Sequence, residues 1–132
     1  MANDVEEVQD TGLDPNLKSM LEINVPDDKN FIYCGSCSHV ITQVSMKIEM
    51  QGSHEHDFTN PHGYAFHVGC FSQALGCDLS GGPQAADSWF MGYVWRIATC
   101  GGCQNHLGWY FSSTTGEHHF YGLILDRLQQ DG

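Results

Sequence analysis

The chain has 132 residues, a length that fits one domain, and a formal net charge of −11. Five basic residues, Lys18, Lys29, Lys47, Arg96 and Arg127, stand against 16 acids. They are too few to build the cationic stripe that phosphate binding needs, so a nucleic-acid partner is excluded. No apolar run approaches the roughly 18 residues of a membrane helix, and the acidic opening "MANDVEEVQD" lacks the apolar segment of a secretory signal. The expected location is cytoplasmic, where six cysteines point to metal or chemistry before disulfides.

Residues 1–30 carry Asp4, Glu6, Glu7, Asp10, Asp14, Glu22, Asp27 and Asp28 and no aromatic residue. They read as an acidic, largely disordered segment. Within it "DPNLKSMLEI" could open a short helix capped by Asp14, with Pro15 in its first turn. The folded domain is expected over 31–128. "FIYCGSC" reads as a strand entering a turn. From Val40 to Met50 apolar and polar residues alternate, the pattern of a strand with one buried face. "QGSHEHD" reads as a polar loop, and "TNPHG" as a loop leading to the strand "YAFHVGCF". "SQALGC" reads as one helical turn and "DLSGGPQAAD" as another loop. "SWFMGYVWRIATC" reads as one unbroken strand that puts Trp89 and Trp95 on the same face. "HLGWYFSS" and "HHFYGLIL" complete the set. With 15 glycines marking turns, the fold class is mostly β.

Cys34-Gly-Ser-Cys37 and Cys100-Gly-Gly-Cys103 form a CxxC…CxxC constellation separated by residues 38–99. Glycine lets each turn curl so that both sulfurs and nearby amide groups face one point. Four thiolates at about 2.3 Å satisfy tetrahedral zinc and leave no open position, which marks a structural site. Two disulfides or thioredoxin-like redox pairs are the alternatives. They are weakened by the absence of a secretory signal and of a βαβ pattern. Cys70 and Cys77 read as small buried hydrophobes. The histidine-rich "HEH" and "HH" could bind a second metal, though polar residues in loops and edge strands explain them as well. His39 and His106 lie just past the CxxC turns and read as packing beside the metal.

All three tryptophans, Trp89, Trp95 and Trp109, crowd around the second CxxC. One reading is plain β-core. The other is a box: the CxxC turn joins two strands and sets three indole planes as walls of one pocket. Such a box holds either a cation on its ring faces or a small neutral ring oriented by a few backbone hydrogen bonds. The spacing does not choose the guest.

The stretches "YCGSC" (33–37), "NPHGY" (60–64), "SWFMGYVW" (88–95), "CGGC" (100–103) and "HLGW" (106–109) together resemble the CULT domain, the thalidomide-binding domain of cereblon. The resemblance spans about residues 31–125 and looks like the stand-alone form found in bacteria, without the protease-like and ligase-adaptor domains. It implies two antiparallel sheets set roughly at right angles and pinned by zinc. It also implies a pocket of Trp89, Trp95 and Trp109 closed by Phe111. That pocket would accept a cyclic imide, the glutarimide ring of thalidomide-type compounds, and more weakly uracil or uridine. Cyclised C-terminal Gln or Asn residues present a similar ring. The resemblance implies that the Asp87 carbonyl accepts from the ring N–H and the Trp89 amide donates to a ring carbonyl. Ser88 lies between them, Asn60 and Pro61 line the mouth, and Phe66 closes one side. Animal members carry His where this chain has Asp87 and Phe66.

The expected function is therefore non-enzymatic binding of a small cyclic ligand. A methyl-ammonium reader using the same box is the alternative, and an enzyme akin to B-type methionine sulfoxide reductases is a weaker one, because no cysteine follows Cys103. The sequence names no protein partner.

Overall fold

A computed structural model describes residues 30–130, so the acidic segment, with its expected helix, lies outside the described residues. The described chain forms strands β1 (Phe31–Cys34), β2 (Val40–Gln43), β3 (Glu55–Thr59), β4 (Ala65–Phe71) and β5 (Cys77–Gln84). They are followed by β6 (Tyr93–Cys100), β7 (His106–Ser113), β8 (His119–Ile124) and β9 (Leu128–Gln130). They make two sheets, of order β2-β1-β9 and β3-β4-β8-β7-β6-β5. Every strand pair is antiparallel. The mostly β, two-sheet class expected from sequence is the class observed.

Strand β8 lies inside the larger sheet and is buried on both faces. Tyr121 and Leu123 enter one core with Ile32, Ile41, Phe71, Ala98 and Leu107. Phe120 and Ile124 enter a second, aromatic core with Val68, Phe90, Trp109 and Phe111. The larger sheet thus separates two apolar clusters. Between Ala98 and Thr99 the register of β6 against β7 shifts, leaving Leu107 as the extra residue opposite. Leu107 then joins the first core while Trp109 and Phe111 face the second.

Several elements differ from the sequence expectation. The alternating stretch 40–50 is not one strand. It leaves the sheet at Gln43 and makes a 3₁₀ turn over Val44–Met46. It then runs past β4, with the Ile48 amide donating to the Cys70 carbonyl (3.0 Å). The alternation is real, but it serves two cores: Val44 and Met46 pack on the first, Ile48 and Met50 on the second. "SQALGC" forms a turn with no helix. Two segments read as loops contain strands. β3 takes Glu55–Thr59, and β5 takes the Gly- and Pro-containing Cys77–Gln84. An edge position explains both, because an edge strand tolerates Pro, Gly and polar side chains that a central strand does not. β9 is three residues long and carries no period of its own.

Candidate functional site

The two CxxC turns are the links of hairpins that belong to different sheets: β1–β2 in the small sheet and β6–β7 in the large one. Their backbones repeat each other. In the first, the Cys34 amide donates to the His39 carbonyl (2.8 Å) and the Ser38 amide to the Cys34 carbonyl (2.9 Å). In the second, the Cys100 amide donates to the Asn105 carbonyl (2.8 Å) and the Gln104 amide to the Cys100 carbonyl (2.8 Å). Ser38 and Gln104, each just after its second cysteine, both sit in the left-handed region, at φ 66° and 67°. The hairpins bring the four sulfurs together within 4.8 Å of one another.

The quartet fits a tetrahedral cation. Sγ of Cys34 lies 3.8 Å from Sγ of Cys103, and Sγ of Cys37 lies 3.6 Å from Sγ of Cys100. Four thiolates around one zinc at 2.3 Å stand about 3.8 Å apart. Amides point at the sulfurs: Ser36 N–H at Cys34 (3.4 Å), Gly102 N–H at Cys100 (3.3 Å) and Cys103 N–H at Cys100 (3.5 Å). Such donors stabilise negative sulfur. Burial works to raise the Cys34 thiol, yet the Ser36 and Cys37 amides and its neighbouring thiols outweigh it and bring it to about 7. Cys37 gains from the His39 amide, but desolvation and the other sulfurs push it up to about 12. Four adjacent thiols cannot all ionise alone, and a divalent cation removes that conflict. The geometry therefore fits a metal ion, and the donor set is that of structural zinc.

Cys70 and Cys77 stay outside the quartet. Burial raises Cys70 to about 11. Burial first, then the nearby Cys100, raises Cys77 to about 12. Among the described residues no second cluster of metal-ligating side chains forms. His54 and His56 bond the Ile48 and Ser53 carbonyls, while His118 and His119 bond Tyr93 and Gln73.

A cavity of about 400 Å³ opens over the aromatic core and all three tryptophans line it. Each arrives from a different element. Trp95 stands on β6 and Trp109 on β7, where Trp95 pairs with Phe111 and Trp109 with Ile97. Trp89 does not continue the β6 strand as expected. Asp87, at φ 58°, and Gly92, at φ 85°, turn the chain so that residues 87–92 form a loop. Phe90 plugs that loop into the second core, 1% exposed. The Trp95 indole N–H donates to the Ala86 carbonyl (2.7 Å) and ties the loop to β6. One wall therefore also anchors its neighbour.

The rings meet mostly edge to face. Trp89 and Trp109 have centroids 4.7 Å apart at 76°, and Phe66 meets Trp109 at 5.2 Å and 75°. Phe58 stacks on Trp89 at 4.5 Å and 7°, fixing its plane from outside the cavity. Offset and edge-to-face pairs of this kind each add about 0.5–1.5 kcal/mol beyond burial. Asn60 and Pro61 reach the cavity from the β3–β4 loop. The Asn60 side-chain oxygen accepts from the His62 and Tyr64 amides (2.9 Å each), which shapes that loop.

Of the residues named from sequence for this pocket, Asn60, Pro61, Phe66, Asp87, Trp89, Trp95, Trp109 and Phe111 line the cavity. Ser88 does not. Its hydroxyl donates to the Phe90 carbonyl (3.0 Å) and helps form the loop. His62, Ile97 and His106 also line it and were not named. Ile97 shares the parity of Trp95 and could have been found by that rule. Its position just past the second CxxC turn predicts that His106 packs beside the metal. Instead it meets Trp109 edge to face at 4.9 Å. Its Nε2 bonds the Gly108 carbonyl (2.9 Å). A carbonyl only accepts, so Nε2 carries the proton, and burial lowers the ring below its ordinary 6.5.

Fold and site define a class: a two-sheet β-domain whose hairpin turns gather a cysteine quartet beside an aromatic cavity of small-molecule size. No model of a known protein family matches the chain. Among curated proteins it is 42% identical over 74 residues to protein cereblon of Gallus gallus, covering 54% of this chain and 17% of that protein. It is 31% identical over 114 residues to protein cereblon of Danio rerio, covering 81% of this chain and 26% of that one. A third match is protein cereblon of Drosophila pseudoobscura pseudoobscura, 30% identical over 116 residues, with 82% and 18% covered. The chain is a homologue of cereblon over its CULT-like region. It spans about a quarter or less of the length of these relatives.

Proposed function

We propose that residues 31–128 form a non-enzymatic binding module whose aromatic cavity takes a cyclic imide, of the glutarimide type or a cyclised C-terminal Gln or Asn, and more weakly a uracil-like ring. The observation that carries this reading is the cavity lined by Trp89, Trp95 and Trp109. Its volume, about 400 Å³, falls in the range of small-ligand sites, about 300–1,000 Å³. An imide presents one N–H between two carbonyls. The Asp87 carbonyl and the Trp89 amide are a matching acceptor and donor, and neither has a hydrogen-bond partner among the described residues. The Asn60 side-chain NH₂ is likewise unpartnered and lines the same cavity.

The binding reading is favoured over catalysis by what the titratable groups do. His106 is held neutral, with its Nε2 proton committed to Gly108. The raised thiols Cys70 and Cys77 do not line the cavity, which speaks against thiol chemistry of the methionine sulfoxide reductase kind. In this reading the quartet Cys34, Cys37, Cys100 and Cys103 holds zinc as a structural cofactor. The ordinary location is a reducing compartment, the cytoplasm, where the six unpaired cysteines stay unpaired.

The test is tryptophan fluorescence titrated with thalidomide, uridine and choline. Micromolar quenching by the imide, weaker quenching by uridine and none by choline are expected. A response to choline alone would transfer the site to the methyl-ammonium reading. Trp95→Ala is expected to abolish imide binding while bound zinc, measured by chelator release, stays at one per chain. Imide binding that survives Trp95→Ala overturns the assignment.

A further inference from the structure

We infer that the cavity selects cyclic imides carrying a positive charge beyond the ring, with Asp87 as the selecting group. The inference rests on the imide reading above and narrows its ligand class. Asp87 lines the cavity and is exposed there. Its carboxylate has no ion pair and no hydrogen bond among the described residues. It is the one carboxylate in the lining, and no lysine or arginine lines the cavity to balance it.

None of the cations elsewhere on the described chain lines the cavity, though Arg127 packs on two residues of its wall. Arg96 donates to the Gly81 carbonyl (2.8 Å), and Lys47 lines a separate cavity between the sheets. Arg127 lies over the Phe66 ring at 5.9 Å and donates to the His106 carbonyl (2.8 Å). Of the two histidines in the lining, His106 is held neutral by burial, and His62 sits exposed on the mouth loop. The cavity thus joins an apolar aromatic interior to a lining that holds one carboxylate and no lysine or arginine.

The backbone fixes where that charge stands. Asp87 sits at φ 58°, a region that Asp and Asn adopt far more readily than other side-chain-bearing residues. The Trp95 bond to the Ala86 carbonyl holds the preceding peptide in place. If the Asp87 carbonyl accepts from the imide N–H, the carboxylate of the same residue belongs to the lining around the bound ring. The complementary ligand is an imide with an ammonium on a short arm, such as a cyclised residue linked to a basic segment.

The test uses three glutarimides matched in length on one amide linker, ending in a primary ammonium, its neutral N-acetyl form, and a carboxylate. Affinities for the full chain and for Asp87→Asn are read by tryptophan fluorescence at pH 7.5, in low salt and in 1 M NaCl. Asn keeps the left-handed backbone and removes only the charge. The expected order for the natural chain is ammonium over acetyl over carboxylate. Each step is roughly two- to fivefold, the size of an exposed ion pair, and fades in high salt, where screening acts within about 3 Å. In Asp87→Asn the three affinities converge. An order that persists in Asp87→Asn, or equal affinities for the natural chain, overturns the inference while leaving the imide reading intact. Failure of the neutral acetyl form to bind at all brings down the imide reading, and this inference with it.

Discussion

His67 shows how a single exposed side chain braces the site. It stands on β4 across from Glu55 and Asp57 on β3. Its Nδ1 lies 2.6 Å from Asp57 Oδ1 and its Nε2 lies 2.7 Å from Glu55 Oε1. A neutral imidazole has one N–H and cannot donate to both, so the pair of contacts calls for the imidazolium. The Asp57 hydrogen bond first and the Glu55 hydrogen bond second raise His67 above its ordinary 6.5. A raised folded-state value stabilises fully below pH 6.5, where the unfolded ring is protonated too, and the gain is lost as pH rises through the folded value. The clamp closes the hairpin whose loop brings Asn60 and Pro61 to the cavity. The melting temperature of the natural chain should exceed that of His67→Gln by most near pH 5.5–6, with the gap narrowing toward pH 9. His106, lowered by burial, works in the opposite sense and costs stability as pH falls below 6.5, but both proteins share it and it cancels in the difference. A gap that is constant with pH would show that the His67 contacts carry no proton-linked stability.

Among the elements, the repeated CxxC hairpins were the most legible part of the chain. Cys-Gly-x-Cys after an apolar run specifies both the turn and the convergence of sulfurs, and both hairpins form as read. Trp95, Trp109 and Phe111 were equally readable, because strict alternation along β6 and β7 places them on one face. Alternation groups Trp89 with them for the wrong reason. Its place comes from a loop set by Asp87 and Gly92, and a period-two rule cannot see a turn inside an apolar run. β5 was hidden because an edge strand needs neither alternation nor β-branched residues. The His106 position was missed because the Ala98/Thr99 register shift, which no local signal announces, redirects the start of β7. The close approach of β7 and β8 depends on another residue with no pattern of its own. A Cβ on Gly108 would lie 2.1 Å from the Gly122 carbonyl oxygen. Gly108→Ala must therefore push the strands apart, and overpacking of this kind typically costs about 1–3 kcal/mol. Urea unfolding should show that loss. Imide affinity should fall as well, since Trp109 is the next residue on β7 and pairs with Gly122 on β8. Unchanged stability would mean that the β7–β8 spacing is looser than the structure has it.

For the molecule as a whole, the quartet matters because of which parts it joins. β1 lies at the middle of the small sheet, between β2 and β9, and β6 lies within the large one. Cys34 and Cys37 come from the first, Cys100 and Cys103 from the second, so a single cation held by the four would tie the two sheets at one point. Across the same junction the Gly76 amide donates to the Ile41 carbonyl (3.0 Å) and the Asn105 side-chain amide to the Ser36 hydroxyl (3.3 Å). Such bonds are isolated, and among the described residues no strand ladder joins the two sheets. Structural zinc contributes about 10–16 kcal/mol apparent in small finger peptides, and a whole domain is stable by only about 5–15 kcal/mol. Even part of such a term would decide whether this one folds. Removing the metal with a strong chelator should abolish the native melting transition at neutral pH, and stoichiometric zinc should restore it. Cys103→Ser should act in the same direction, since it removes one of four ligands from an exposed turn and disturbs no apolar packing. Imide binding should disappear together with the fold, not after it, because Trp95 and Trp109 lie on the two strands that the second CxxC turn connects. If the stripped protein melts at the same temperature as the loaded one, or keeps its imide affinity, the sheets hold each other through their apolar cores alone and the quartet is an ornament on a fold that does not need it.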